Sequence, residues 1–231
     1  MSELDFLTDT MGRLLAGLPI TLQLAVLSVS GGMVLAVLMA VARSASRPAE
    51  WFVRGYVFVL RGTPLLLQIF MIYYGLGQFA AVRDSVLWPL LRQPWWCALL
   101  ALTLNTAAYG SEIVRGGLNS VPAGAVEAAR VAGMSRFTLY RRIVLPIALR
   151  QALPAYGNEM VIMVKSTSLA SIVTLMEVTG IAYAIISETY RAVEVFLCAG
   201  AIYLILNFLL TRAIGTLERR VNPHLRGAAT S

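Results

Sequence analysis

Residues 14–42, LLAGLPITLQLAVLSVSGGMVLAVLMAVA, carry no charge and are bounded by Arg13 and Arg43. About 20 such residues, rising 1.5 Å each as a helix, cross a hydrocarbon core, so the run reads as a transmembrane helix. It is too long for the apolar core of a signal peptide, and no small-residue cleavage site ends it before the charges. The rest of the chain agrees. Of its 231 residues, 58% are hydrophobic and 13% charged, and the mean hydropathy is +0.73. A soluble domain has about 25% charged residues and could not cover its surface with so few. An ordinary cytosolic enzyme, a disordered tail and a disulfide-held secreted scaffold are excluded.

Four further spans follow by the same rule. Thr63-Pro64 reads as a helix start, with Thr as the cap and Pro in the first helical position, which places the second span at about 64–82. Residues 51–60 before it read as a short interfacial helix anchored by Trp51 and Arg54. The third span covers about 95–118, opened by Pro94 and two Trp. The fourth, about 151–175, carries Glu159 and Lys165, and the fifth covers about 195–211. Segment 119–150 is amphipathic and basic and belongs in water. The chain, 1–231, thus reads as a single all-α membrane domain of five helices.

The net charge is +7, and eighteen of the nineteen basic residues are Arg. Only Arg13, Arg83, Arg92 and Arg191 fall in one set of loops; the other fourteen Arg fall in the opposite set. That bias puts the N-terminus outside and the C-terminus inside, and the basic groups read as topology signals rather than a nucleic-acid patch. Cys97 and Cys198 lack metal-ligand spacing and read as small packing residues. The single His, His224, lies in the tail, so neither a zinc site nor a Ser-His-Asp site can be assembled in the membrane.

On the third span Asn105, Tyr109 and Glu112 fall at i, i+4 and i+7, on one helical face. Glu159, Met163 and Ser166 repeat that spacing on the fourth. Two such stripes facing each other would line a hydrophilic path; the plainer reading is hydrogen bonding between neighbouring helices. Arg115, one turn from Glu112, offers it an ion pair. Lys165 is the only Lys. With Ser166, Thr167 and Ser168 after it, it suggests a helix break capped by hydroxyls, with Lys165 either a structural clamp on the broken helix or in direct contact with substrate. Ser120 and Pro122 open a short helix around Glu127-Ala128-Ala129 that Gly133 ends. Ser135 caps a second helix running to Pro146. A short helix with small side chains suits docking into a groove of another protein.

Glu127-Ala128-Ala129, three residues, Gly133, nine residues, Ile143, one residue and Leu145-Pro146 match the EAA motif of the membrane subunits of bacterial ABC importers. The chain resembles their polar and basic amino-acid branch along nearly its whole length, at residues 17–24, 61–65, 104–109 with Glu112, and 153–169. It is most similar to the M-type subunit of histidine, arginine or opine importers. The resemblance implies the type I importer permease fold in a bacterial cytoplasmic membrane. It also implies a coupling helix, Glu127, Ala128, Ala129 and Gly133, that docks on a cytosolic ATPase, with Ile143, Leu145 and Pro146 behind it.

Substrate contacts are implied at Asn105, Glu159 and Ser166, and Tyr109 and Thr167 join them as neighbours. Lys165, Glu112, Arg115 and Arg61 are left as structural charges. Many relatives have Asp where Ser166 stands, which leaves one carboxylate fewer for a cationic ligand. The implied partners are a second permease chain (identical or different), two copies of an ATP-binding subunit, a periplasmic amino-acid-binding protein and membrane lipid, with no nucleic acid. The chain has no GxxxxGK[ST] phosphate loop. It is expected not to be an enzyme and to hold no cofactor or metal, ATP and Mg belonging to the partner. The rival reading is an ATP-independent secondary transporter or channel, which would call for coupling-ion carboxylates or an internal repeat. The halves of the chain show no repeat.

Overall fold

Glu3 and Asp5 at its start and Arg13 at its end complement the dipole of the first helix, α1, Glu3–Leu15. The computed structural model describes residues 3–221; His224 and Arg226 of the basic tail lie outside the described residues. Gly17 and Pro19 interrupt the helix briefly before α2, Leu18–Ala45, so helix extends beyond 14–42 at both ends. Gly17 is required for space, because a Cβ there would lie 2.6 Å from the carbonyl carbon of Glu177. Ser46 then caps α3, Arg47–Gly62, accepting from the Ala49 N–H at 3.3 Å.

The second span departs from expectation. Pro64 forces the residue before it out of the helical region; Thr63 is extended, and α4, Leu65–Phe70, starts in a new direction. It passes into a π turn, Met71–Gly75, and a 3₁₀ turn, Leu76–Gln78. The bend between Arg47–Gly62 and Leu65–Gln78 is 106°. Thr63 does not cap α4, since its hydroxyl donates back to the Val59 carbonyl at 2.8 Å. Two short helices, α5 (Ala80–Arg83) and α6 (Trp88–Leu91), lead to α7, Pro94–Asn119.

Helix α3 extends well beyond 51–60 and packs on α7. The Tyr56 hydroxyl donates to the Leu104 carbonyl at 2.6 Å, and the Arg61 guanidinium lies 4.9 Å from the Tyr109 ring centroid. Both contacts fall in the middle of α7, so Arg61 lies on a packed helix and not in a loop.

Helices α2 and α7 approach closely through small residues four apart on each. A Cβ at Gly32 would meet Thr106 at 2.6 Å, and one at Gly110 would meet Ala36 at 3.0 Å. Close backbone approach through small residues is how helices associate in lipid, where burying apolar surface gives no advantage.

The next helix is α8, Ala123–Val131, followed by α9, Arg136–Leu139, a π turn over Tyr140–Val144, and α10, Leu145–Ser166. Helix therefore continues through Pro146 instead of stopping there. The wider π turn before it accommodates a residue with no N–H and a bulky ring. Beyond Ser166 the chain tightens into a 3₁₀ helix, Thr167–Val173, then turns through left-handed Thr174 into α11, Val178–Thr189, with a 48° bend. The last helix, α12, is Ala192–Val221. The fourth helix thus starts well before 151, and the last overruns 195–211 at both ends.

Three helical runs, Glu3–Ala45, Pro94–Asn119 and Ala192–Val221, are long and apolar enough to cross a membrane; each bent pair adds one if counted as a span. One core packs α2, α4, α7 and α10 around Leu24, Ile69, Leu102 and Met163. A second packs α1, α11 and α12 around Leu14, Val178, Ile185 and Val195. Arg191 fastens that second body, pairing with Glu3 and Glu194 and stacking 4.0 Å from the Phe6 ring. Cys97 and Cys198 are buried free thiols.

Candidate functional site

The bend between α3 and α4 turns across the middle of α7, and α10 passes opposite. Between them lies a cavity of about 690 Å³ whose polar wall includes Arg61, Thr63, Asn105, Tyr109, Glu159 and Ser166. Asn105 is buried and donates through Nδ2 to Gln68 Oε1 at 3.0 Å. Gln68 donates in turn through Nε2 to the Leu60 and Thr63 carbonyls at 2.7 and 3.0 Å and to Thr63 Oγ1 at 2.9 Å. Arg61 lies over the Tyr109 ring, a cation–π contact at the cavity wall. Ser166 spends its hydroxyl proton on the Ile162 carbonyl at 2.9 Å.

Glu159 is 6% exposed, and among the described residues no donor reaches its carboxylate. The field of Arg61 acts on it, without a direct bond. A buried carboxylate left without hydrogen bonds is costly, and Glu159 carries that cost at the wall of this cavity.

The other candidates are placed differently. Thr167 is fully buried and donates to the Val164 carbonyl at 2.8 Å, away from the cavity. Glu112 leaves the stripe of Asn105 and Tyr109 and turns to α2, accepting from Arg43 at 2.7 Å and from Arg115 Nε at 2.9 Å. An i, i+4, i+7 stripe is wide enough to touch two neighbours, the cavity and α2. Lys165 is exposed and, among the described residues, pairs with nothing, so it clamps no helix break here. The hydroxyls of Ser166, Thr167 and Ser168 bond back to carbonyls three or four residues earlier; they cap no following helix.

Two residues escaped the sequence reading. Gln68 is an amide within an otherwise apolar run, and that was its only signal. Glu177 is fully buried at the N-cap of α11, accepting from the N–H groups of Thr179 and Gly180 at 2.9 and 2.8 Å and from the Tyr203 hydroxyl at 2.7 Å. The Val178 N–H donates to Thr21 Oγ1 at 3.4 Å, tying the same turn to α2. The two cap bonds are local, but no local pattern announces Tyr203, 26 residues away.

At the far end of α7, the Glu127-Ala128-Ala129 segment lies on α8. Gly133 adopts φ +75°, which favours glycine, and ends α8 in a Schellman turn. In it the Gly133 N–H donates to Arg130 O at 3.0 Å, and the Met134 N–H to Ala129 O at 3.1 Å. Ser135 then caps α9, accepting from the Thr138 N–H at 3.3 Å. Ala129 is buried with Leu139 and Val144, and Ile143 packs against them. Glu127, Ala128 and Leu145 are exposed, and Pro146 is half-buried. An apolar groove of about 510 Å³ separates this unit from the adjoining ends of α2 and α7.

Residues 32–223 match the family described as binding-protein-dependent transport system inner membrane component. The octopine transport system permease protein OccM of Rhizobium meliloti is 58% identical over 225 residues, 96% of this chain and 91% of that protein. The nopaline transport system permease protein NocM of Agrobacterium fabrum is 53% identical, over 97% of this chain and 94% of that one. Among solved structures, an amino acid ABC transporter crystallised with histidines matches with a TM-score of 0.84 and 32% identity. That match covers 95% of this chain and 99% of the other.

Proposed function

Because the chain belongs to the family of binding-protein-dependent transport system inner membrane components, we propose that it carries a basic amino acid or an opine through the membrane. The observation that carries this reading is the unpaired Glu159 carboxylate in the cavity between α7 and α10. It supplies the anionic partner for a cationic side chain, while Arg61 on Tyr109 is positioned for the substrate's carboxylate. The relatives' names, octopine and nopaline among them, support a substrate of this class.

The whole chain acts as one permease domain of five spans, with the two bent pairs each serving as one. The N-terminus lies outside and the C-terminus inside, with the basic connection 119–150 in the cytosol. There α8, through exposed Glu127 and Ala128, docks on one of two ATP-binding subunits. Gly133 and Ile143 hold α8 against the π turn that leads through Leu145 and Pro146 into α10, the helix that bears Glu159, so movement of α8 is passed to the cavity wall. ATP and Mg are bound by the partner, and a periplasmic binding protein delivers the substrate. A second permease chain closes the path against exposed faces such as that of Lys165. Binding of substrate and of nucleotide are then linked equilibria.

The test is uptake of labelled arginine by proteoliposomes holding the complex with its binding protein. Saturable uptake that requires internal or external ATP on the ATPase side is expected. Uptake that proceeds equally without ATP would establish the secondary-transporter alternative instead.

A further inference from the structure

We infer that Gln68, though outside the cavity lining, is a positioning residue that sets what the cavity recognises. It does so by holding Asn105 with its carbonyl oxygen toward the open space. The inference rests on the reading that this cavity takes a cationic amino acid.

The direction of the Gln68 amide follows from its neighbours. The carbonyl oxygens of Leu60 and Thr63, at 2.7 and 3.0 Å, can only accept. The third neighbour, Thr63 Oγ1 at 2.9 Å, already gives its proton to Val59 O at 2.8 Å, so it too accepts. Three acceptors on one side require the NH₂ of Gln68 there and leave its Oε1 facing Asn105. Asn105 must then present Nδ2, as the 3.0 Å contact shows. Its Oδ1 has no partner among the described residues and is left to the cavity it lines.

An asparagine amide has nearly the same shape either way round. Asn105 Nδ2 also reaches the Leu60 carbonyl, but at 3.5 Å, so Gln68 Oε1 at 3.0 Å is the stronger anchor. Without Gln68 only that long contact opposes Asn105 turning over to offer its NH₂, which repels a cation. As held, Asn105 Oδ1 and Glu159 both accept, and so does Ser166, whose proton is spent on Ile162. Three acceptors on adjoining walls select an ammonium or guanidinium group. Asn158, which also lines the cavity, can offer either end, and the donor Arg61 is stacked apart on Tyr109. The bend at Pro64 contributes to this selectivity, because it swings Gln68 back over the last carbonyls of α3.

The assembled transporter in proteoliposomes, offered arginine and citrulline, tests this, since the two share a shape and differ in charge. Gln68→Leu should raise KM for arginine about tenfold, the loss of one hydrogen bond to a charged group. The maximal rate should stay within about twofold and citrulline uptake should not weaken, since an amide turned over still serves a neutral ligand. Asn105→Asp should restore the arginine preference in the Gln68→Leu background, because both carboxylate oxygens accept whichever way it turns. Beside an intact Gln68 the same change should weaken uptake, by setting two oxygens face to face.

A purely structural role for Gln68 does not predict that reversal of sign. An arginine preference that survives Gln68→Leu, or that Asn105→Asp fails to restore, overturns the inference. A parent transporter that does not prefer arginine to citrulline overturns the underlying reading of the cavity. Should Gln68→Leu fail to assemble, Gln68→Met keeps the length without the amide and faces the same outcomes.

Discussion

Two buried carboxylates in this chain have opposite fates. Glu177 is fully buried and accepts three hydrogen bonds, two from backbone N–H groups of its own helix start and one from Tyr203 on α12. Glu159 is nearly as buried, 6% exposed, and accepts none among the described residues. A charge withdrawn from water is tolerated when its partners are built in. Glu177 meets that condition and works as a staple, joining the turn after the 3₁₀ helix to α11 and α12. Glu159 does not, and it opens on a cavity, which is why the proposed function gives it the substrate as its partner. Hydrogen-bond satisfaction, rather than burial or charge, separates the built-in carboxylate from the one left open to the cavity.

The largest effect should follow from breaking the staple. Glu177→Ala orphans the N–H groups of Thr179 and Gly180, each costing about 1–3 kcal/mol when buried, while the Tyr203 hydroxyl keeps Thr179 Oγ1 at 3.1 Å. A loss of about 3 kcal/mol is expected, seen as a lower midpoint in thermal unfolding of the detergent-solubilised complex. Glu159→Ala in the same assay should leave the midpoint unchanged or slightly higher, because it removes an unsatisfied group. Equal destabilisation by the two changes would break the comparison. Glu159→Gln should have the next largest effect, on uptake: arginine should lose about tenfold in kcat/KM, the worth of a charged hydrogen bond, while citrulline loses much less. Equal loss for both would make Glu159 structural too.

What could be read from the sequence divides along the same line. The long helices α2, α7 and α12 were legible because a charge-free run of membrane-spanning length needs no tertiary information. Asn105, Tyr109, Glu159 and Ser166 were legible as stripes because helical spacing is local, and the cavity does bring these four together. The break after Lys165 was legible in outline, since α10 ends at Ser166, but the direction of the bends was not. Pro64 read as the start of a straight helix, yet the 106° turn it permits is set by how α3 and α4 both pack on α7. That turn carried Arg61 from the assumed surface to Tyr109. Periodicity could place Glu112 on the stripe, but it could not show that Arg43 of α2 would draw it off the cavity. Gln68 and the distant arm of Glu177 were hidden for the same reason, since Asn105 and Tyr203 lie on other elements.

Two smaller effects sharpen the contrast by separating binding from coupling and by testing an intermediate carboxylate. Gly133→Val places a β-branched residue at φ +75°, which costs about 1–2 kcal/mol, and should loosen α8 from the base of α10. ATP-driven uptake should fall about fivefold, while arginine binding to the idle complex is unchanged; a parallel fall in binding would mean that α8 shapes the cavity directly. Glu112 lies between the two extremes, part-exposed and paired with Arg43 and Arg115. An ion pair open to solvent contributes about 0–1 kcal/mol, so Glu112→Gln should lower the unfolding midpoint only slightly. High salt should mask part of even that loss. Uptake should keep its arginine preference, because the carboxylate already has its partners and none of them is the substrate. A change in preference on replacing Glu112 would show that hydrogen-bond satisfaction does not by itself distinguish the three carboxylates.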